Sequence, residues 1–303
     1  MTENFLDVDD LSPDELTAVL DKGAAYKELL ADGEPHRDLP DRTLGMLFQK
    51  PSTRTRVSFE TGMTQLGGHA VFLGENDIQL GRGEPLKDTA RALSGYVDAL
   101  MARVFKHRNV EVLAEYADVP VVNGLTDDAH PCQTLADLLT IRETEGGFDD
   151  VSAAWVGDGN NVAQSFALGC ALTDVDLTVA TPEGYGVDDD VVERARDLGG
   201  DPTVTHDPVA AAEDADVIYT DVWISMGQED ERDVRMNDFE GFQVCDDLLD
   251  HAAPDATVLH CLPAHRGEEI TDAVIESDRS LVWRQAENRM HAQKGLLAYL
   301  LDA

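Results

Sequence analysis

Lysine is scarce in this chain. Of 303 residues only six are Lys and 17 are Arg, against 60 Asp and Glu, for a formal net charge of −37. Such a shortage of bases excludes a general nucleic-acid binder, which needs a positively charged face. No apolar run approaches the roughly 18 residues of a membrane helix, so no membrane partner is expected. Cysteine is rare too: Cys132, Cys170, Cys245 and Cys261 stand far apart with no CxxC pair. That predicts free thiols in a reducing compartment. The opening MTENFLDVDD has no basic-then-apolar pattern, so no export signal is expected and the chain reads as cytoplasmic.

Apolar residues are not lacking. They make up 43% of the chain, enough to build cores and too many for a disordered polyelectrolyte. At about 150 residues per domain the length predicts two domains. Acids run through both halves, as on the surface of a protein from a very salty (halophilic) cytoplasm. There the Debye length shrinks to ~3 Å at 1 M salt and self-repulsion becomes tolerable. One window departs from this. Residues 50–108 carry nine bases (Lys50, Arg54, Arg56, Arg82, Lys87, Arg91, Arg103, Lys106, Arg108) and six acids, leaving 14 bases against 54 acids elsewhere. The simplest use for retained bases is a small anionic ligand; ion pairs along a helical hairpin are the alternative.

Hydrophobic periodicity gives the organisation. Ser12-Pro13 predicts a helix over 13–31. A strand at Thr43–Phe48 precedes QKPSTRTR, and a helix runs from Thr53 to Leu66, where Gly67-Gly68 stops it. Val71–Leu73 reads as a strand, and Leu86, Ala90, Leu93, Val97 and Leu100 recur at helical spacing. Ala99–Ala102 and Val119–Gly124 are further strands, and a helix begins near Pro131. After a linker at 145–150 come strands at Val151–Gly157, Asp176–Ala180, Val217–Thr220 and Ala256–His260, a helix at Asn161–Leu172, and a last helix from Asn288. This alternation predicts an α/β fold of two parallel-sheet α/β domains of similar size. The expected division is 1–144, completed by the C-terminal helix 288–303, and 145–287.

Ser52-Thr53-Arg54-Thr55-Arg56 falls between a strand and a helix. Free N–H groups at a helix start, three hydroxyls and an arginine fork make a phosphate site without a P-loop. An N-cap flanked by surface arginines is the plainer alternative. Gly157-Asp158-Gly159-Asn160-Asn161 begins like a dinucleotide fingerprint, but Val162 stands at the third glycine and the next strand ends Ala180-Thr181-Pro182 with no acid for a ribose. A nicotinamide cofactor is therefore not expected. Asp221 and Ser225 follow a strand end, where an acid and a hydroxyl suit an ammonium group; a helix-capping acid beside a core Met would also explain them.

Five segments occur in order: QKPSTRTR, QLGRGE (79–84), HPCQ (130–133), DVWISMG (221–227) and HCLP (260–263). In these the chain resembles the ornithine carbamoyltransferases, within the aspartate/ornithine carbamoyltransferase superfamily, from about Leu44 to Leu297. The resemblance implies transfer of a carbamoyl group from carbamoyl phosphate to the δ-amine of L-ornithine, with no cofactor and no metal. It implies that Ser52, Thr53, Arg54 and Thr55 hold the phosphate, that Arg103 bridges phosphate and carbonyl oxygen, and that His130 donates to that oxygen. Gln133 would read the carbamoyl NH2 with the Cys261 and Leu262 carbonyls, and Arg289 would complete the carbamoyl-phosphate contacts. Asn161, Asp221, Ser225 and the Met226 backbone would bind ornithine, with Asp221 and the Cys261 thiol orienting or deprotonating the amine. Leu262-Pro263 is a candidate cis peptide. A homotrimer, or a multiple of trimers, with active sites shared between subunits is implied, Gln79 reaching a neighbour's phosphate; Lys87 and Arg82 are weaker candidates nearby. Aspartate carbamoyltransferases usually read HPLP where this chain has Cys261. Aspartate, putrescine or an N-acylated ornithine remains the alternative acceptor.

Overall fold

The computed structural model describes residues 4–75, 78 and 83–301. Gln79 and Arg82 lie outside the described residues. Helices start where the sequence supplies caps. Ser12 accepts from the Glu15 N–H while the Glu15 carboxylate accepts from the Ser12 N–H, and Pro13 occupies the first helical position of Pro13–Ala31. The helix Thr53–Gln65 stops as anticipated. Gly67 (φ +85°) and Gly68 donate to the Thr64 and Met63 carbonyls, a Schellman end that needs a left-handed residue.

Two compact units emerge, one of Met1–Leu139 with Glu287–Ala303 and one of Thr140–Ala286. The first holds β1 (Thr43–Phe48), β2 (His69–Gly74), β3 (Ala99–Arg103) and β4 (Val121–Leu125), all parallel in the order β2-β1-β3-β4. The second holds β5 (Ser152–Val156), β6 (Asp176–Ala180), β7 (Thr203–Thr205), β8 (Val217–Thr220) and β9 (Thr257–His260), parallel in the order β7-β6-β5-β8-β9. Strands β3 and β4 are buried throughout, as parallel strands covered on both faces must be. The two parallel-sheet α/β architecture expected from the alternation is the one observed.

Each sheet reverses its strand order once. In the first the chain adds β2 on one side of β1 and then returns to add β3 on the other; in the second β5 plays the part of β1. Open α/β sheets bind ligands beyond the carboxyl ends of the strands at such a switch point. The residues there are QKPST after β1, Arg103 at the end of β3, GDGNN after β5 and Asp221 after β8.

Two boundaries differ from the sequence expectation. The helix over Leu86–Ser94 ends at Gly95 instead of reaching Leu100. Asp98 is drawn out of helical geometry because its carboxylate accepts from the Thr43 N–H and from Arg42. The last helix begins at Val282, six residues before Asn288. Its first turn carries Gln285, buried because its side chain accepts from the His260 backbone N–H at 2.8 Å. Helices at His107–Tyr116 and Asp189–Asp197 were not foreseen.

Candidate active site

In the first unit a set of cationic side chains converges on the start of the helix Thr53–Gln65. Ser52 caps it, its hydroxyl accepting from the Thr55 N–H at 3.2 Å, and the first turn contains no acid to compete for the free N–H groups. The buried Thr55 hydroxyl oxygen accepts from two guanidiniums, Arg103 at 3.3 Å and Arg289 at 3.5 Å. Arg103 is placed there by register, since it pairs with Phe48, the last residue of β1. Arg289 also donates to the Gln133 side-chain oxygen, and Gln133 donates to Asp137 at 2.7 Å. The helix Pro131–Glu145 thereby links Gln133 to the same cluster, with His130 immediately before it.

His130 is buried, and its pKa is held well below the ordinary imidazole range. Burial is the main cause; the charges of Arg289, Arg103, Arg54 and Lys50 add to it. The ring is therefore neutral at pH 7 and offers one N–H donor beside several cations. Arg54 is half-buried and Thr53 exposed at the helix start. Lys50, one of the bases whose retention points to an anionic ligand, belongs with this group. It is buried, paired with Asp127, and lies 4.8 Å from the Phe105 ring centroid. The available signal was a lysine inside QKPSTRTR in a chain with so few of them. Arg56 turns elsewhere, to Glu60 at 3.0 Å and over the Phe72 ring at 3.8 Å. Lys87 is exposed near the start of Leu86–Ser94.

The second unit gathers acceptors. Asn160 caps the helix Asn161–Thr173: its oxygen accepts from the Val162 and Ala163 N–H groups, and its NH2 donates to Asp221 at 2.9 Å. The Cys261 thiol donates to the other Asp221 oxygen at 3.0 Å. Register explains this meeting: Thr220 pairs with His260, so the residues following β8 and β9 emerge side by side. Asn161, the asparagine the resemblance assigns to ornithine, sits in the first turn of that helix, directly after Asn160.

His260 fixes the loop behind Cys261. Its Nδ1 accepts from the Leu262 N–H at 2.9 Å, so the ring proton lies on Nε2, which donates to Glu269 at 3.0 Å. Glu269 is fully buried and also accepts from the His265 N–H at 2.6 Å. Leu262 has φ +61°, a conformation that a leucine rarely adopts, and the Leu262-Pro263 bond is cis as the resemblance implied. Glu269 was missed in the sequence. Ser225 donates its N–H to Gln228 at 2.9 Å, and Met226 is exposed.

Asp221, His260 and Cys261 offer ligand-type atoms within 4.8 Å of one another. Both imidazole nitrogens are committed, one to Glu269 and one to Leu262, while the Cys261 thiol is bonded to Asp221, so the trio reads as two separate hydrogen-bonded sets. Asp158 is buried in the same region. Burial pushes its pKa up to about 6, opposed by the Arg235 guanidinium that donates to it at 3.1 Å.

Residues 3–143 match the family described as aspartate/ornithine carbamoyltransferase, carbamoyl-P binding domain, and residues 149–300 match its Asp/Orn binding domain. An ornithine carbamoyltransferase of Haloquadratum walsbyi is 63% identical over 99% of this chain and 98% of its own length. One from Pyrococcus abyssi is 54% identical over 98% of this chain and 95% of its own. Among solved structures, the ornithine carbamoyltransferase from Pyrococcus furiosus superposes with a TM-score of 0.95 at 53% identity, covering 100% of this chain and 98% of that one. The Thermus thermophilus enzyme gives 0.90 at 44%, covering 99% of each.

Proposed function

The chain belongs to the aspartate/ornithine carbamoyltransferase family, and on that premise we propose that it transfers the carbamoyl group of carbamoyl phosphate to the δ-amine of L-ornithine, giving L-citrulline and phosphate. The observation that carries this reading is the contrast of two clusters, one cationic around Thr55 and His130 and one acidic around Asp221. The long, highly identical relatives named for ornithine favour that acceptor over aspartate, putrescine or an N-acylated ornithine.

In this reading residues 1–144 and the C-terminal helix 288–303 bind carbamoyl phosphate. Ser52, Thr53, Arg54 and Thr55 take the phosphate oxygens through the helix start, hydroxyls and guanidinium. Arg103 bridges phosphate and carbonyl oxygen. Neutral His130 donates to the carbonyl oxygen, where a preorganised donor is worth ~10²–10³ in rate as negative charge develops. Gln133, Arg289 and the Cys261 and Leu262 carbonyls orient the carbamoyl group, and Gln79 contributes from a neighbouring subunit. Residues 145–287 bind ornithine through Asn161, Asp221, Ser225 and the Met226 backbone.

The δ-nitrogen reaches the site as an ammonium with a pKa near ~10.4 and must shed a proton to become a nucleophile. Asp221, flanked by the Cys261 thiol, draws it in and accepts from it. With that first proton gone, the nitrogen lone pair forms a C–N bond to the carbonyl carbon, the C–O bond to phosphate breaks, and the departing phosphate carries off the electron pair and takes the second amine proton. Positioning and charge stabilisation carry the acceleration; neither a covalent intermediate nor a metal enters the step.

The protein works in a salty cytoplasm as a homotrimer or a multiple of trimers. The net charge of −37 supports the first point. Family resemblance supports the second, together with the half-buried apolar edge strand β2. The direct test is formation of citrulline and phosphate with each of the four acceptors across potassium chloride concentrations. Ornithine alone should give stoichiometric phosphate, with activity rising from ~0.1 M to ~1 M salt as screening shortens the Debye length. A better rate with putrescine or aspartate would reassign the acceptor.

A further inference from the structure

Three loops of the second unit meet on a single buried guanidinium that plays no part in the chemistry above. Arg235, on the helix Arg232–Asp238, donates to the Trp223 carbonyl at 2.9 Å and to the Asp158 carboxylate at 3.1 Å, and its Nε donates to Glu231 at 2.9 Å. Its planar face lies 4.9 Å from the Tyr185 ring centroid, and the Tyr185 hydroxyl donates to Asp238 at 2.7 Å. The Tyr185 carbonyl in turn accepts from the Gly159 N–H at 2.8 Å. A Cβ on Gly159 would fall 2.3 Å from the Gly186 backbone, so the turn carrying Asp158 is pressed against the Tyr185 loop. Trp223 itself stacks on Phe239 at 5.4 Å.

We propose that Arg235 is a positioning residue for the amino-acid site: by holding the Trp223 carbonyl and the Asp158 carboxylate at once, it fixes the Ser225–Met226 backbone relative to the helix start at Asn160–Asn161. This deepens the ornithine reading and rests on it. The two acceptors need a planar fork with several donors in fixed directions, which arginine has and lysine lacks. The tie also answers an electrostatic problem. Asp158 is buried near Asp221 and Glu231, both of which oppose its ionisation, and Arg235 is the cation that offsets them. Tyr185 and Asp238 face the same guanidinium.

The sign of the pH dependence follows. Asp158 is charged, and its ion pair intact, above about pH 6; as pH falls through that value the carboxylate takes a proton and the tie slackens. Ornithine use should therefore show an acid limb near pH 6 in kcat/KM for ornithine that kcat/KM for carbamoyl phosphate lacks.

The test is steady-state kinetics on the full-length enzyme with both substrates between about pH 5 and 8. Arg235→Gln should raise the KM for ornithine at least ~10-fold while the KM for carbamoyl phosphate stays within ~2-fold, and should move the acid limb to higher pH. Arg235→Lys should recover part of the loss. Asp158→Asn, close in shape and only neutral, should erase the acid limb; it decides the matter even if Arg235→Gln does not fold. Both KM values rising together, or an acid limb unchanged in Asp158→Asn, would overturn the positioning role while leaving the reaction intact. An unmodified protein that forms no citrulline would overturn both.

Discussion

The two clusters are built from opposite materials. Around Thr55 the first unit assembles Lys50, Arg54, Arg103 and Arg289 about a neutral imidazole. Around Asp221 the second unit assembles an amide, a thiol and carboxylates, with Arg235 committed to Asp158. The difference matches the charges of the proposed substrates, a phosphate dianion and a diamino acid. It accounts for three of the nine bases at 50–108, Lys50, Arg54 and Arg103, whereas Arg56, Arg91 and Arg108 form local ion pairs with Glu60, Asp88 and Glu111.

The contrast can be broken from either side. The largest effect is expected from Arg54→Ala, which should lower kcat/KM for carbamoyl phosphate by ~10³, the loss of a bidentate phosphate grip, with ornithine affinity little changed. Steady-state kinetics in saturating ornithine reads this; an equal loss for both substrates would blur the division. A smaller effect, on the order of ~10-fold in kcat/KM for ornithine, is expected from Cys261→Ser, because the hydroxyl still donates to Asp221 but with different length and acidity. Thermal melting beside kinetics should place the damage on ornithine use more than on folding.

The smallest effect concerns stability away from the chemistry. His291 is buried on the last helix, and burial together with nearby Lys294, Lys27 and His36 pushes its pKa down to about 3. The unfolded chain therefore binds a proton near pH 6.5 that the folded chain refuses, so stability falls as pH drops below about 6.5 toward 3. His291→Gln should make the pH dependence of denaturant unfolding shallower over that window by up to one proton. An unchanged slope would mean that the imidazole already titrates in the folded protein.

Legibility followed separation along the chain. The helix start proposed to hold phosphate was readable because Ser52 to Thr55 are contiguous, and hydroxyls, glycines and prolines announce such a start locally. Parallel sheets were readable from alternation. The Arg235–Asp158 pair was not, since 77 positions separate its members and Arg235 stands in no distinctive local pattern. Glu269 is only nine positions from His260, but no local pattern marks it: its value comes from the loop after β9 turning it back onto that imidazole. The part played by Asn160 is not local either: it caps the helix Asn161–Thr173 and at the same time donates to Asp221, 61 positions away. The early start of the last helix brings Gln285 to the His260 backbone N–H, a contact between distant segments that no local pattern announces.

Calorimetric titration of inorganic phosphate, the product of the proposed reaction, addresses the division of charge most directly. Phosphate should bind the unmodified enzyme and the Asp221→Asn variant alike, and bind Arg54→Ala at least ~100-fold more weakly. Equal weakening in both variants, or undiminished binding to Arg54→Ala, would contradict it.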